Sequence, residues 1–143
     1  METLKNQFGI LSKVLKCLSQ SLVNKHIGEK KYPDTAWMLR DARIKRFELS
    51  ILYFYRMAKA YLKEIHNINK TLPFFVINSL YKEKVISEKE NDLLIKMIYL
   101  RNNRNSYMGN EELAKDLDDD LKEYYTIMKD VSERLKQKIC SDN

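Results

Sequence analysis

Residues that break or staple a fold are scarce in this chain: its 143 residues hold 3 glycines, 2 prolines and 2 cysteines. So few turn formers exclude an architecture of many short strands and tight hairpins. The cysteines, Cys17 and Cys140, lie near opposite ends. They have neither the density of a secreted disulfide scaffold nor metal-ligand spacing, and read as free thiols in a reducing cytoplasm. A disulfide stays open if the terminal helices pack together. Only two histidines occur, His26 and His66. Each falls at an expected helix end, where it serves as a solvated C-terminal cation. Neither has a metal partner at i+3 or i+4, and neither belongs to a recognisable triad. There is no glycine-rich phosphate loop, so no metal or cofactor is expected. No apolar run approaches the ~20 residues needed to span a bilayer. The N-terminus, with Lys and polar residues among its apolar ones, does not read as a signal peptide. A cytoplasmic protein without membrane contact is the expectation.

What is abundant is helix-forming sequence. Hydrophobic residues make up 44% and charged residues 32%, and apolar positions recur at steps of three and four. The organising stretch runs from Arg40 to His66 without a glycine or proline. Its apolar residues Ile44, Phe47, Ile51, Phe54, Tyr55, Ala58, Leu62 and Ile65 mark one helical face. Residues 2–27 form an earlier helix with a stripe through Leu4, Phe8, Leu11, Leu15, Leu18 and Leu22, ended by Gly28. The segment GEKKYPDTA then reads as a loop, in which Pro33 discourages helix at Tyr32. Asp34 or Thr35 is placed to cap the long helix, with Trp37 as a packing anchor at its start.

Thr71 caps a short helix with Pro73 in its first turn, burying Phe74, Ile77 and Leu80. Ser87 and Glu90 form a capping box for a helix whose face is Leu94, Met97, Ile98 and Arg101. The last helix runs from about Asn110 to Ile139, with Leu113, Leu117, Leu121, Tyr125, Met128, Val131 and Leu135 inward. Glu111 and Glu112 suit its positive end; Asp116, Asp118, Asp119 and Asp120 read as a solvated face. The sum is a single all-α domain over residues 1–143, an up-and-down four-helix bundle with one additional short helix.

The net charge of +6 is uneven. Residues 1–70 carry 14 Lys/Arg against 6 Asp/Glu, and residues 71–143 carry 12 against 14. A basic half attracts phosphate or RNA, or complements an acidic partner. Two charges interrupt the apolar stripes. Glu48 sits at the edge of the long-helix face, where a carboxylate is costly without a partner. Arg101 continues the Leu94–Met97 face and is its natural partner. Beyond it, Asn102, Asn103, Arg104, Asn105, Ser106 and Tyr107 gather polar groups. Arg and Asn suit phosphate and base edges, but a helix end running into a turn at Gly109 explains the string equally well.

The string Arg40-Asp41-Ala42-Arg43-Ile44-Lys45-Arg46-Phe47-Glu48, the segment LPFFVINSLYKEKVI and the helix ending in RNNRNSY resemble the HEPN superfamily. More narrowly, they resemble its nucleotidyltransferase substrate-binding proteins, over roughly residues 4–137. The resemblance implies a homodimer that joins through its long helices and brings both Arg-containing motifs into one cleft. It also implies a minimal nucleotidyltransferase as partner. The substrate-binding set would be Arg46, Glu48, Arg101, Asn102, Asn105, Ser106 and Tyr107, taking a nucleotide, an acceptor or RNA. In HEPN ribonucleases the motif is Arg, four residues, then His, often with Tyr two later. Arg101 and Asn102 match its start, Ser106 stands where His is expected, and Tyr107 is one position off. The acidic residue and Trp that the family often carries on the long helix align with Leu52 and Tyr55. A ribonuclease of this kind needs a general acid/base, and serine does not serve unaided. A non-catalytic binding subunit is therefore the first expectation, with Tyr107 as a site its partner could nucleotidylate. A HEPN ribonuclease toxin of a toxin–antitoxin pair, with Arg101 and Tyr107 as catalytic residues, is the alternative.

Overall fold

The computed structural model describes residues 2–23, 25–31 and 33–141, without the side chains of Glu2, His26, Ile27 and Glu29. The expectations for Tyr32 and the His26 side chain lie outside the described residues. The fold is an all-α bundle, with no strand among the described residues. Four longer helices carry it: α1 (Glu2–Val23), α3 (Ala36–His66), α5 (Glu88–Asn102) and α6 (Glu111–Ser141). The shorter α4 (Pro73–Lys82) lies between α3 and α5 in sequence and packs on both. α3 touches every other helix. It would be about 45 Å long at 1.5 Å per residue, and no other helix but α6 matches it.

The stripes expected from spacing form one continuous core. α1 contributes Leu4, Leu11 and Leu18, and α3 contributes Phe47, Ile51, Phe54 and Met57. α5 adds Leu94 and Met97, and α6 adds Leu121, Tyr124, Met128 and Val131. The Phe47 and Tyr124 rings meet at 5.5 Å between centroids. The capping box at α5 is present in full. The Ser87 amide donates to Glu90 Oε1 at 2.8 Å, and the Glu90 amide donates to Ser87 Oγ at 3.1 Å. Arg134 of α6 then grips the same Glu90 through both carboxylate oxygens and also donates to the Val85 carbonyl. α3 ends where Asn67 takes the left-handed conformation and Ile68 donates back to the Leu62 carbonyl, a C-terminal signal that asparagine supplies when glycine is absent.

Several expectations give way. Gly28 does not end the first helix. α1 stops at Val23, and Gly28 lies inside a further short helix, α2 (Lys25–Lys31), that covers part of the expected loop. A Cβ at Gly28 would meet Leu39 Cδ1 at 2.8 Å, so the glycine serves the close approach of α2 to α3. Thr35 occupies the α3 cap position but its side chain makes no capping hydrogen bond. Trp37 is 55% exposed and anchors nothing in the core. Leu72, not Thr71, holds the α4 cap position, and Val76 rather than Phe74 joins Ile77 and Leu80 inside. On α6, Tyr124 is buried in place of Tyr125, and Leu113 is exposed. Both thiols are exposed and free. His66, in the last turn of α3, is half-buried between Glu83, 3.4 Å from Nδ1, and the Tyr61 hydroxyl, 3.3 Å from Nε2, so its ring is packed rather than fully solvated. No helix among the described residues is long and apolar enough to cross a membrane.

Candidate functional site

The arginine string at the start of α3 builds one wall of a cleft, and the α5–α6 turn builds the other. Arg43 and Arg40 lie one turn apart and both face α6. Arg43 is buried and donates to both oxygens of Asp118 from Nε and Nη2 at 2.8 Å. Lys25 Nζ reaches the same carboxylate at 3.2 Å. Asp118 is thus no part of a solvated face, being 5% exposed. Burial pushes its carboxyl pKa up, but the Arg43 hydrogen bonds and the Arg43 and Lys25 charges outweigh this and hold it below the ordinary value. One turn toward the N-terminus, Arg40 forms a second two-pronged pair with Glu111 at 2.8 and 3.0 Å. Those two clamps hold the start of α3 against the start of α6.

Across the cleft, α5 ends at Asn102 and the chain folds into a 3-10 turn, Arg104–Ser106. The Tyr107 and Met108 amides both donate to the Arg104 carbonyl, and Gly109, at φ +82°, turns the chain into α6. Asn110 caps that helix, its Oδ1 accepting from the Leu113 amide at 3.2 Å. The turn swings Tyr107 inward to 4% exposure, where its hydroxyl donates to Glu48 Oε1 at 3.0 Å. Burial first, then the Glu48 charge and hydrogen bond, raise the Tyr107 pKa well above the usual phenol range.

The buried carboxylate therefore has its partner, but not the expected one. Glu48 pairs with Tyr107 and, at 3.7 Å, with the half-exposed Arg104. Arg101 is half-buried and makes no ion pair with it; its charge opposes part of the rise in the Tyr107 pKa. Asn102, Asn105 and Ser106 are exposed. The Ser106 hydroxyl is turned onto the Asn103 carbonyl at 2.7 Å. Arg46 points elsewhere, donating to the Cys17 carbonyl of α1 at 3.4 Å. Of the expected set, only Glu48 and Tyr107 come together.

They close the floor of a cleft of about 490 Å³ with Ile44 and Ala114. Trp37 and Met108 stand at its sides, and Asp41, Lys45 and Arg104 bring exposed charge to it. The volume suits a small ligand, and an apolar body with a few convergent polar groups is the usual make-up of such a site. In the sequence Trp37 reads as a packing anchor and Arg104 as part of the polar string, but neither of them, nor Lys45 or Met108, has a place in the expected binding set. The available signal was that Arg104 lies three residues past Arg101, beyond the last apolar position, where the helix phase no longer applies. No group of three or more His, Cys, Asp or Glu among the described residues is placed to hold a metal ion.

No family model matches the chain, and no curated protein matches it. Solved structures do. A Thermus thermophilus protein, ttk003001694, superposes with a TM-score of 0.75 at 26% identity, over 87% of this chain and 98% of that one. A chain of the toxin–antitoxin MntA–HpeT complex, in a mutant form, superposes with a TM-score of 0.74 at 15% identity, over 96% and 99%. The likeness shows a shared all-α bundle fold. At these identities it speaks to the shared backbone and leaves the chemistry to the residues of the cleft.

Proposed function

We propose that this chain is a non-catalytic partner subunit in a two-component system, paired with a minimal nucleotidyltransferase and acting as a homodimer. Its cleft holds the nucleotide or acceptor on which that partner works. One observation carries the reading: neither hydroxyl in the Arg101–Tyr107 string is poised for proton transfer. Ser106 is committed to a backbone carbonyl, and Tyr107 is buried on a carboxylate with its pKa raised. A ribonuclease step needs a group that takes and returns protons near neutral pH within reach of the ribose hydroxyl. The cleft supplies cations and an apolar wall instead. Trp37 offers a stacking face to a base, and Lys45 and Arg104 offer charge to phosphate. A backbone shared with a chain of a toxin–antitoxin complex supports a protein partner.

The test is RNA cleavage by the purified protein without its partner, in EDTA, beside Arg101→Ala and Arg104→Ala. No cleavage, together with co-purification of a co-expressed nucleotidyltransferase, is the expected result. Cleavage lost in either arginine variant would make the chain a HEPN ribonuclease toxin and remove the binding-subunit reading. Tyr107 is a poor acceptor for nucleotidyl transfer while the turn is closed. Mass spectrometry after co-expression should find no nucleotide on it.

A further inference from the structure

Beyond the exposed Asp41 near its start, the exposed side of α3 carries cations and no carboxylate as far as Lys63. From Ala42 to Lys63 its outward positions follow one stripe at helical spacing, about 30 Å long. Five cations lie on it: Lys45, Arg46, Arg56, Lys59 and Lys63. None of its exposed residues is a carboxylate. The five make no ion pair among the described residues; Arg46 reaches a backbone carbonyl, and Arg56 lies 5.2 Å from the centroid of the Tyr53 ring. Arg56, Lys59 and Lys63 follow one another at three and four residues, where like charges cost a helix a few tenths of a kcal/mol per pair. A face that served solubility alone would mix signs, as the outer face of α6 does. The neighbouring α1 repeats the bias, with Lys5, Lys13 and Lys16 exposed and no exposed carboxylate among its described side chains.

The stripe is not purely polar. Between its cationic ends lie Leu49, 38% exposed, and the half-buried Leu52 and Tyr53, while α1 presents Ile10 at 39%. An apolar centre with charged ends is the anatomy of a protein interface. A nucleic-acid interface is more uniformly polar and cationic. A second copy fits poorly. A two-fold contact centred on Leu49 to Tyr53 would oppose Lys45 and Arg46 to the partner's cations at Arg56 to Lys63, and like charges facing each other resist association. Docking the stripe on the acidic side of another copy's α6 would be a head-to-tail contact that need not close.

We infer that the α3 stripe docks an acidic amphipathic helix of a partner protein. The inference rests on the partner-subunit reading only in expecting a protein occupant, and it moves the homodimer contact off the exposed side of the long helix. The probe is a labelled synthetic helix of about three heptads with leucine at a and d and glutamate at e and g, beside a twin carrying lysine in place of glutamate. Both are titrated with the full chain by fluorescence anisotropy at about 0.15 M salt, where surface charges are screened beyond ~8 Å. The acidic helix should bind saturably and the basic twin should not. Leu49→Glu, and separately Lys59→Glu with Lys63→Glu, should weaken binding about tenfold or more with the unfolding midpoint little changed. Lys59→Ala with Lys63→Ala should weaken it less.

Three results would overturn the inference: no discrimination between the two helices; displacement of the acidic helix by a sub-stoichiometric amount of single-stranded RNA; or a dimer that dissociates in Leu49→Glu. A nucleotidyltransferase complex that survives the Lys59→Glu, Lys63→Glu variant unchanged would also sink this surface while leaving the partner-subunit reading intact. Failure of the wild-type chain to co-purify with the nucleotidyltransferase would remove that reading, with the synthetic helix still deciding the surface.

Discussion

Two pairs of arginines in this chain have the same spacing and opposite fates. Arg40 and Arg43 lie three apart near the start of α3, and Arg101 and Arg104 lie three apart at the end of α5. The first pair faces α6, where Glu111 and Asp118 stand seven residues apart, two turns along one side. Each guanidinium there closes on a carboxylate with two hydrogen bonds. The second pair straddles a helix end. Arg101 stays half-buried, and Arg104 is carried by the turn toward Glu48, which the Tyr107 hydroxyl already engages. A guanidinium becomes structural when a facing helix offers a carboxylate at matching height. Without that it remains available to a ligand.

The comparison can be broken from either side. Asp118→Ala removes the carboxylate that takes two hydrogen bonds from the buried Arg43 and should cost about 3 kcal/mol in urea unfolding. Arg43→Met combined with Asp118→Leu should recover most of that loss, because the desolvation cost goes with the charges. The depressed Asp118 pKa makes that pair's contribution acid-sensitive. Its contribution is complete above the ordinary aspartate value of about 3.9 and fades as pH falls through the lower native value. The doubly substituted protein should lack that part of the acid slope.

Next in size is Tyr107→Phe, which removes the donor to a buried carboxylate oxygen and should cost about 1–3 kcal/mol. The raised Tyr107 pKa has the opposite sign of pH dependence. Its contribution is whole below the unfolded phenol value of about 10 and declines as pH rises above it. The phenylalanine variant should flatten that decline, as read from urea midpoints at alkaline pH. Ser87→Ala, which removes one half of the capping box, should cost about 1 kcal/mol. Glu111→Gln should leave the unfolding midpoint where it is, since that carboxylate is open to solvent. If Glu111→Gln cost as much as Asp118→Ala, burial would not be what separates the two clamps.

The bundle was largely legible in the chain. Apolar residues at three- and four-residue steps placed Phe47, Ile51, Phe54, Leu94, Met97, Leu121, Met128 and Val131 inside. The Ser87–Glu90 box was readable because both partners are local in sequence. The candidate site was far less legible. Glu48 was marked as a carboxylate in need of a partner, but Arg101 was expected there, on a helix phase that ends at Asn102. The 3-10 turn resets that phase and brings Tyr107 and Arg104 in. Asp118 read as solvated because it follows the acidic first turns of α6; only the Arg43 and Lys25 side chains opposite make it a core residue. Trp37 reads as a packing anchor and Phe74 as part of the inward face with Ile77 and Leu80, yet they are 55% and 42% exposed.

The longer helices, most of their inward positions and the Ser87–Glu90 cap follow from the sequence alone, because they rest on interactions within four residues of one another; α2 and the starts of α3 and α4 do not. The partner of each buried charge, the inward turn of Tyr107 and the line between core and surface on α4 and α6 were decided only by the tertiary structure. Those outcomes depend on which side chain stands opposite across a helix–helix contact, and a single helix period carries no record of that.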